Sequence, residues 1–153
     1  MPIIPPADAE KIREVLAKEM VGDVHVAVLS EPSGGLVLPG QAERPDRAFD
    51  GVAELMTDLA ALSPKLKVKH IDVRRSPERL AEYHVGDAPA IVFEQEGRRN
   101  IRFFGFPGGY EFSNLLQTIT MASKGVTGVP PDYLEQVVSL PDTLHLQVFV
   151  TPT

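Results

Sequence analysis

VGDAPAIVFEQEGRRNIRFFGFPGGYEFSNLLQTI, residues 85–119, decides the fold. Within it APAIVFE, residues 88–94, is an apolar run introduced by a proline and reads as a strand. EQEGR supplies a turn and NIRFFGF, residues 100–106, reads as a second strand, so residues 88–106 form a hairpin with a longer loop. PGG interrupts the pattern. After Gly109, the residues Phe112, Leu115, Leu116 and Ile119 recur at helical spacing and mark a helix with one buried face.

Working outward, the proline-rich start MPIIPP is expected to be extended. Asp8 stands where an N-cap belongs, Ile12, Val15, Leu16 and Met20 follow at helical spacing, and Gly22 closes that helix. VHVAVLS, residues 24–30, alternates Val24, Val26 and Val28 with His25 and Ala27. Its nearly continuous apolar character predicts a strand buried on both faces. Residues 31–47 hold three prolines and three glycines and read as a loop, long for a compact domain. Asp46 then caps a helix whose stripe is Phe49, Val52, Leu55, Met56, Leu59 and Leu62, ended by Pro64. LKVKHIDV, residues 66–73, reads as a strand, and Ser76 caps a short helix with Pro77 in its first turn. Past the hairpin and its helix, another helix runs from Pro131 to about Ser139, and LHLQVFVTPT, residues 144–153, alternates as a last strand.

The order α–β–α–β–α–β–β–α with an αβ tail predicts an α/β fold, a mixed four-stranded sheet flanked by helices. Two β–α–β crossovers would put two parallel strands at its centre and one antiparallel pair at an edge. The chain divides into a domain over residues 8–123 and a helix–strand extension over residues 124–153.

Composition narrows the function. The 153 residues are 43% apolar and 24% charged, enough for one domain with a real core. Fifteen Lys+Arg against 21 Asp+Glu, interleaved, give a net charge of −6 and argue against nucleic acid or an anionic membrane as partner. No stretch approaches the ~18 apolar residues of a membrane span. The start lacks a basic segment followed by an apolar one, so a secretory signal is not read and a cytoplasmic location is expected. The chain has no cysteine, which excludes disulfides, a thiolate nucleophile, Cys-based metal sites and dithiol redox chemistry.

His25, His70, His84 and His145 show no ligand spacing, so neither metal nor cofactor is expected. Asp72 and Asp87 lie near strand ends, where a loop-capping role outweighs acid–base work. Ser30 and Ser33 lack the glycine-flanked elbow of a serine nucleophile, and Gly34-Gly35 lacks the lysine of a phosphate loop. The pairs Arg74-Arg75 and Arg98-Arg99 are expected to decorate a helix opening and the hairpin tip.

Three stretches carry a resemblance to a known family. VGDAPAIVFEQEG, residues 85–97, resembles the thioredoxin-type segment in which a proline begins the third strand. IRFFGFPGGYEFSNLLQTI, residues 101–119, resembles the hairpin and final helix of the N-terminal unit of glutaredoxin-like protein disulfide oxidoreductases. It is similar also to the N-terminal region of the alkyl hydroperoxide reductase flavoprotein subunit. VFVTPT, residues 148–153, looks like the first strand of a second unit, which in those oxidoreductases leads into Cys-x-x-Cys. The resemblance implies a thioredoxin-like fold, a cis bond at Ala88–Pro89, and an extended peptide pairing with the backbone at Asp87, Ala88 and Pro89. It places Gly35 and Leu38 where the two cysteines of an active unit would sit, and neither can form a thiolate.

Two readings follow. In the first the chain is a redox-inactive thioredoxin-fold binding module related to thiol–disulfide oxidoreductases, with a protein or peptide partner, and is not an enzyme by itself. In the second it is the scaffold of a two-unit protein disulfide oxidoreductase whose Cys-x-x-Cys lies beyond Thr153. A cloned fragment, a processed product and an interrupted reading frame each account for that end. The terminal strand adds one expectation: Leu144, Leu146, Val148 and Val150 need cover worth about 1.5–3 kcal/mol each. A homodimer formed through residues 143–151 would supply it.

Overall fold

A computed structural model describes residues 2–31, 47–126 and 128–149, with the backbone alone at 47–50. Its elements are α1 (Pro6–Glu19), β1 (Val24–Ser30), α2 (Arg47–Leu62), β2 (Leu66–Asp72), α3 (Glu78–Glu82), β3 (Ala90–Glu94), β4 (Arg102–Phe104), α4 (Tyr110–Lys124) and α5 (Pro131–Val138). The four strands form one mixed sheet in the order β2-β1-β3-β4.

β1 is its axis. The strand pairs parallel with β2 from Val24↔Leu66 to Ser30↔Asp72, and antiparallel with β3 from His25↔Glu94 to Leu29↔Ala90. β3 in turn pairs antiparallel with β4, Ala90 facing Phe104 and Val92 facing Arg102. The fold class expected from the sequence is therefore present, with one change of topology. Only the α2 crossover joins parallel strands, and β1 and β3 run antiparallel at the centre. The short helix α3 returns the chain to the far side of β1, where β3 enters in the opposite direction.

Strand alternation sorts the core into two clusters. Val24, Val26, Val28, Ile91 and Phe93 face one side, where Leu16 of α1, Val52, Leu55, Met56 and Leu59 of α2, and Leu115 and Ile119 of α4 cover them. Ala27, Leu29, Ala90 and Val92 face the other side and meet Val73, Tyr83, Val85 and Ala88. The first face carries three helices, and α3 is the helix against the second.

Local signals hold with exceptions. Gly109, at φ 57° and ψ −122°, starts α4 in a conformation that favours glycine, and Gly125 ends it in the left-handed region at φ 66°. Pro5, not Asp8, occupies the N-cap of α1; Asp8 lies in the first turn, where its charge offsets the helix dipole's positive end. Val15 is exposed on α1. Pro77, not Ser76, is the N-cap of α3, and Ser76 contributes its carbonyl to the Arg79 N–H at 3.1 Å. Asp46 and the Phe49 side chain lie outside the described residues.

The terminal strand is the largest departure. Residues 143–149 join no ladder among the described residues, and every described residue from 128 to 149 is exposed. The reason is physical: a strand needs a neighbour, and both core faces are filled without this segment. Val150 lies outside the described residues.

Leu16 is fully buried between α1 and the sheet. A Leu16→Ala variant is expected to lose about 2–5 kcal/mol in denaturant unfolding, whereas the exposed Val15→Ala should stay within about 0.5 kcal/mol.

Candidate functional site

The carboxyl ends of β1 and β2 and the start of β3 meet at one end of the sheet. Ser30 is paired with Asp72 across the parallel ladder, and continuing the Leu29↔Ala90 register places Ser30 opposite Pro89. The Ala88–Pro89 peptide bond is cis. Ala88 and Pro89 are buried and Asp87 is exposed.

Each polar group here has a structural duty. The Asp87 Oδ1 accepts the Ala88 N–H at 2.9 Å, and the Pro89 carbonyl accepts the Gly105 N–H at 3.0 Å. The Asp72 Oδ1 accepts the Arg74 N–H at 3.0 Å, while its carbonyl accepts the N–H groups of Arg75 and Ser76. Arg74 and Arg75 add ion pairs to Asp72 at 3.7 and 3.4 Å. Both aspartates thus cap loops, as their positions suggest. Ser30 is buried, and its carbonyl accepts the Val73 N–H at 3.1 Å. Gly35, Leu38 and Ser33 lie outside the described residues.

A second constellation has no counterpart in the sequence reading. Tyr83, fully buried at the end of α3, donates its hydroxyl hydrogen to Glu94 Oε1 at 2.8 Å. Lys69 Nζ lies 3.2 Å from Glu94 Oε2 and 5.4 Å from the Tyr83 ring centroid. The Arg99 guanidinium stacks 3.9 Å from that centroid, with Nε 3.3 Å from Glu94 and further bonds to Glu82. Arg102 Nε donates to the Tyr83 carbonyl at 3.1 Å. Arg99 is therefore not hairpin decoration but a clasp between the β3–β4 turn, α3 and β3. Glu94 is partly buried, which favours its neutral form. The Tyr83 and Lys69 hydrogen bonds, with the charges of Lys69 and Arg99, win and hold its carboxyl below the usual range. Lys69 is raised by Tyr83 first, against partial burial, and then by Glu94.

His70 Nε2 lies 3.2 Å from the Thr57 hydroxyl, and partial burial lowers its pKa. Among the described residues no group of three His, Cys, Asp or Glu side chains is placed to hold a metal ion. No described helix is long and apolar enough to cross a membrane. At the opposite end of β3 a groove of about 520 Å³ holds Gln95, Arg98, Asn100 and Met121, remote from Pro89.

The arrangement of a β1-centred mixed sheet, a cis-proline opening β3 and a helix closing the hairpin defines a thioredoxin-like protein. Solved structures agree. The protein disulfide oxidoreductase of Aeropyrum pernix is 25% identical and superposes with a TM-score of 0.72 over 89% of this chain and 55% of its own. The alkylhydroperoxide reductase AhpF of Enterococcus faecalis superposes with a TM-score of 0.70 at 17% identity, covering 90% of this chain and 61% of its counterpart. A second structure, of the N-terminal domain of the same reductase, gives 0.69 with the same coverage. This chain thus spans somewhat over half the length of these neighbours. No protein-family model and no curated protein matches it. The chain is a thioredoxin-fold relative of thiol–disulfide oxidoreductases that carries no Cys-x-x-Cys.

The clasp sets a pH dependence. A carboxyl lowered in the folded state contributes stability that is present above its unfolded value near 4.5 and lost as pH falls through the lower folded value. Glu94→Gln should flatten the acid limb of a stability–pH curve below about pH 4.5. Tyr83→Phe should cost roughly 1–2 kcal/mol at pH 7, read by denaturant unfolding.

Proposed function

We propose that this chain is a redox-inactive thioredoxin-fold module of thiol–disulfide metabolism in the cytoplasm, binding an extended polypeptide at Asp87, Ala88 and Pro89. The observation that carries the reading is the site itself in a chain without sulfur nucleophiles. The start of β3 is intact beside the end of β1, and the sequence contains no cysteine. β3 enters its ladders at Ala90, and beyond the bond that the Pro89 carbonyl accepts from the Gly105 N–H no described backbone group pairs with Asp87, Ala88 or Pro89. An added strand bonds to such backbone by main-chain groups, with affinity that tolerates side-chain variety.

Dithiol exchange needs one thiolate to attack and a second to resolve the mixed disulfide. This chain supplies neither. Binding without exchange is what remains, and Asp87 sets its strength. Its carboxylate already occupies the Ala88 N–H, so an incoming peptide carbonyl must displace it.

The scaffold reading keeps one observation in its favour. The chain spans 55% and 61% of the two neighbours that match it over most of its length. An in-frame Cys-x-x-Cys downstream of Thr153 in the coding sequence would turn the proposal to that reading.

Two measurements test the module. In an insulin-reduction assay with dithiothreitol, the chain should give no turnover above background; turnover by the purified chain overturns the reading. Labelled, alkylated insulin B chain should bind, and Asp87→Ala should tighten binding by about fivefold, the worth of roughly 1 kcal/mol for the freed donor. No binding by either form sinks the peptide site.

A further inference from the structure

The described arm of residues 131–149 leaves nine large apolar side chains in water: Tyr133, Leu134, Val137, Val138 and Leu140 on and just after α5, then Leu144, Leu146, Val148 and Phe149. The last four are 63%, 78%, 85% and 88% exposed. Residues 143–153 contain no Lys, Arg, Asp or Glu. An alternating, uncharged segment of this kind pairs with whatever open strand edge it meets unless a built partner takes it first.

The sheet has two outer edges, and they differ. β2 carries exposed Lys67, a lysine guard that deters an added strand, while Lys69 is drawn across the sheet onto Glu94. β4 lacks one. Its basic residue, Arg102, is turned inward onto the Tyr83 carbonyl, and Ile101, Phe104 and Phe106 stand 44%, 60% and 41% exposed along it.

The hydrogen bonds fix which β4 groups are open. The Ile101 carbonyl accepts from the Phe93 N–H, and the Gly105 N–H donates to the Pro89 carbonyl, so the odd-numbered residues face β3. Alternation then points the N–H and C=O groups of Arg102 and Phe104 outward, where no described residue pairs with them.

We propose that residues 143–149 of one copy add as a fifth strand to the β4 edge of a second copy, with the exchange reciprocal. Each copy owns one uncharged arm and one unguarded apolar edge, so two copies satisfy each other's arm and β4 edge about a twofold axis. Leu144, Leu146 and Val148 share one face of the added strand and continue the row that Phe104 begins. Phe106 turns to the other face of the sheet, where it lines an apolar groove of about 500 Å³ with Ile12, Phe112 and Leu116, and stays out of that row. This inference stands apart from peptide binding at Asp87–Pro89, which lies at a different place on β3.

Sedimentation of the full chain at micromolar concentration is expected to give twice 16.7 kDa. Because the residues are exposed in the single copy, Leu146→Lys with Val148→Lys, and separately Phe104→Lys, should leave the circular-dichroism spectrum unchanged. Each should weaken dimerisation by about 100-fold or more. The Arg102 and Phe104 amides should be protected from hydrogen exchange in the dimer and lose that protection in both variants. A monomeric full chain overturns the proposal, as does a dimer that survives the arm variant. A dimer abolished by the arm variant but indifferent to Phe104→Lys, with unprotected Arg102 and Phe104 amides, overturns the β4 assignment in favour of arm against arm.

Discussion

The double pairing of β1 is the constraint from which the rest of the domain follows. A strand with hydrogen-bonded neighbours on both sides and covered faces on both sides has no exposed direction left. It must be apolar nearly throughout, and its one exposed residue, His25, sits near the end that starts the strand. The proposed site is positioned from it. The parallel ladder places Asp72 beside Ser30, the antiparallel ladder places Pro89 beside the same end, and the chain leaves toward α2 from there. A slip of one residue would swap the two core clusters, because side chains alternate with a period of two.

That constraint explains what the sequence made legible. β1 was readable to the residue, since burial on both faces leaves an unbroken apolar run that few other structures need. The hairpin and α4 were readable because EQEGR and PGG punctuate them and because Leu115 and Ile119 keep a helical period. Strand direction was less accessible. A short helix between two strands suggests a parallel crossover, but α3 has five residues and carries the chain across the sheet to enter antiparallel. Caps were misread for a similar reason: Asp8 and Ser76 have the right chemistry, yet proline backbone geometry a residue or more away starts each helix.

The Tyr83 clasp was invisible for a different reason. Its members come from β2, α3, β3 and the β3–β4 turn, and no local spacing links Lys69, Tyr83, Glu94 and Arg99. A lone tyrosine beside a five-residue helix looks like surface. Its ring becomes core only because β1 and β3 present the small Ala27 and Ala90 on that face and leave room for it. The clasp then performs what a second helix layer does elsewhere in the molecule. It holds the thinly covered face with one buried ring, one carboxylate and two cations, and so it fixes the hairpin whose first residues are Pro89 and Ala90.

Thiol chemistry and fold are separable for a chemical reason. Thiol exchange depends on two atoms at one helix terminus, whereas the proposed recognition of an extended chain depends on backbone held at the start of β3. The first can vanish with two substitutions. The second is anchored by the β1–β3 ladder, the bond from the Gly105 N–H to the Pro89 carbonyl, and the burial of Ala88 and Pro89. Removing it would cost the centre of the sheet. Asp87 belongs to that second feature. On the proposed reading its carboxylate holds the Ala88 N–H until a peptide carbonyl displaces it, so the donor is satisfied with or without a partner.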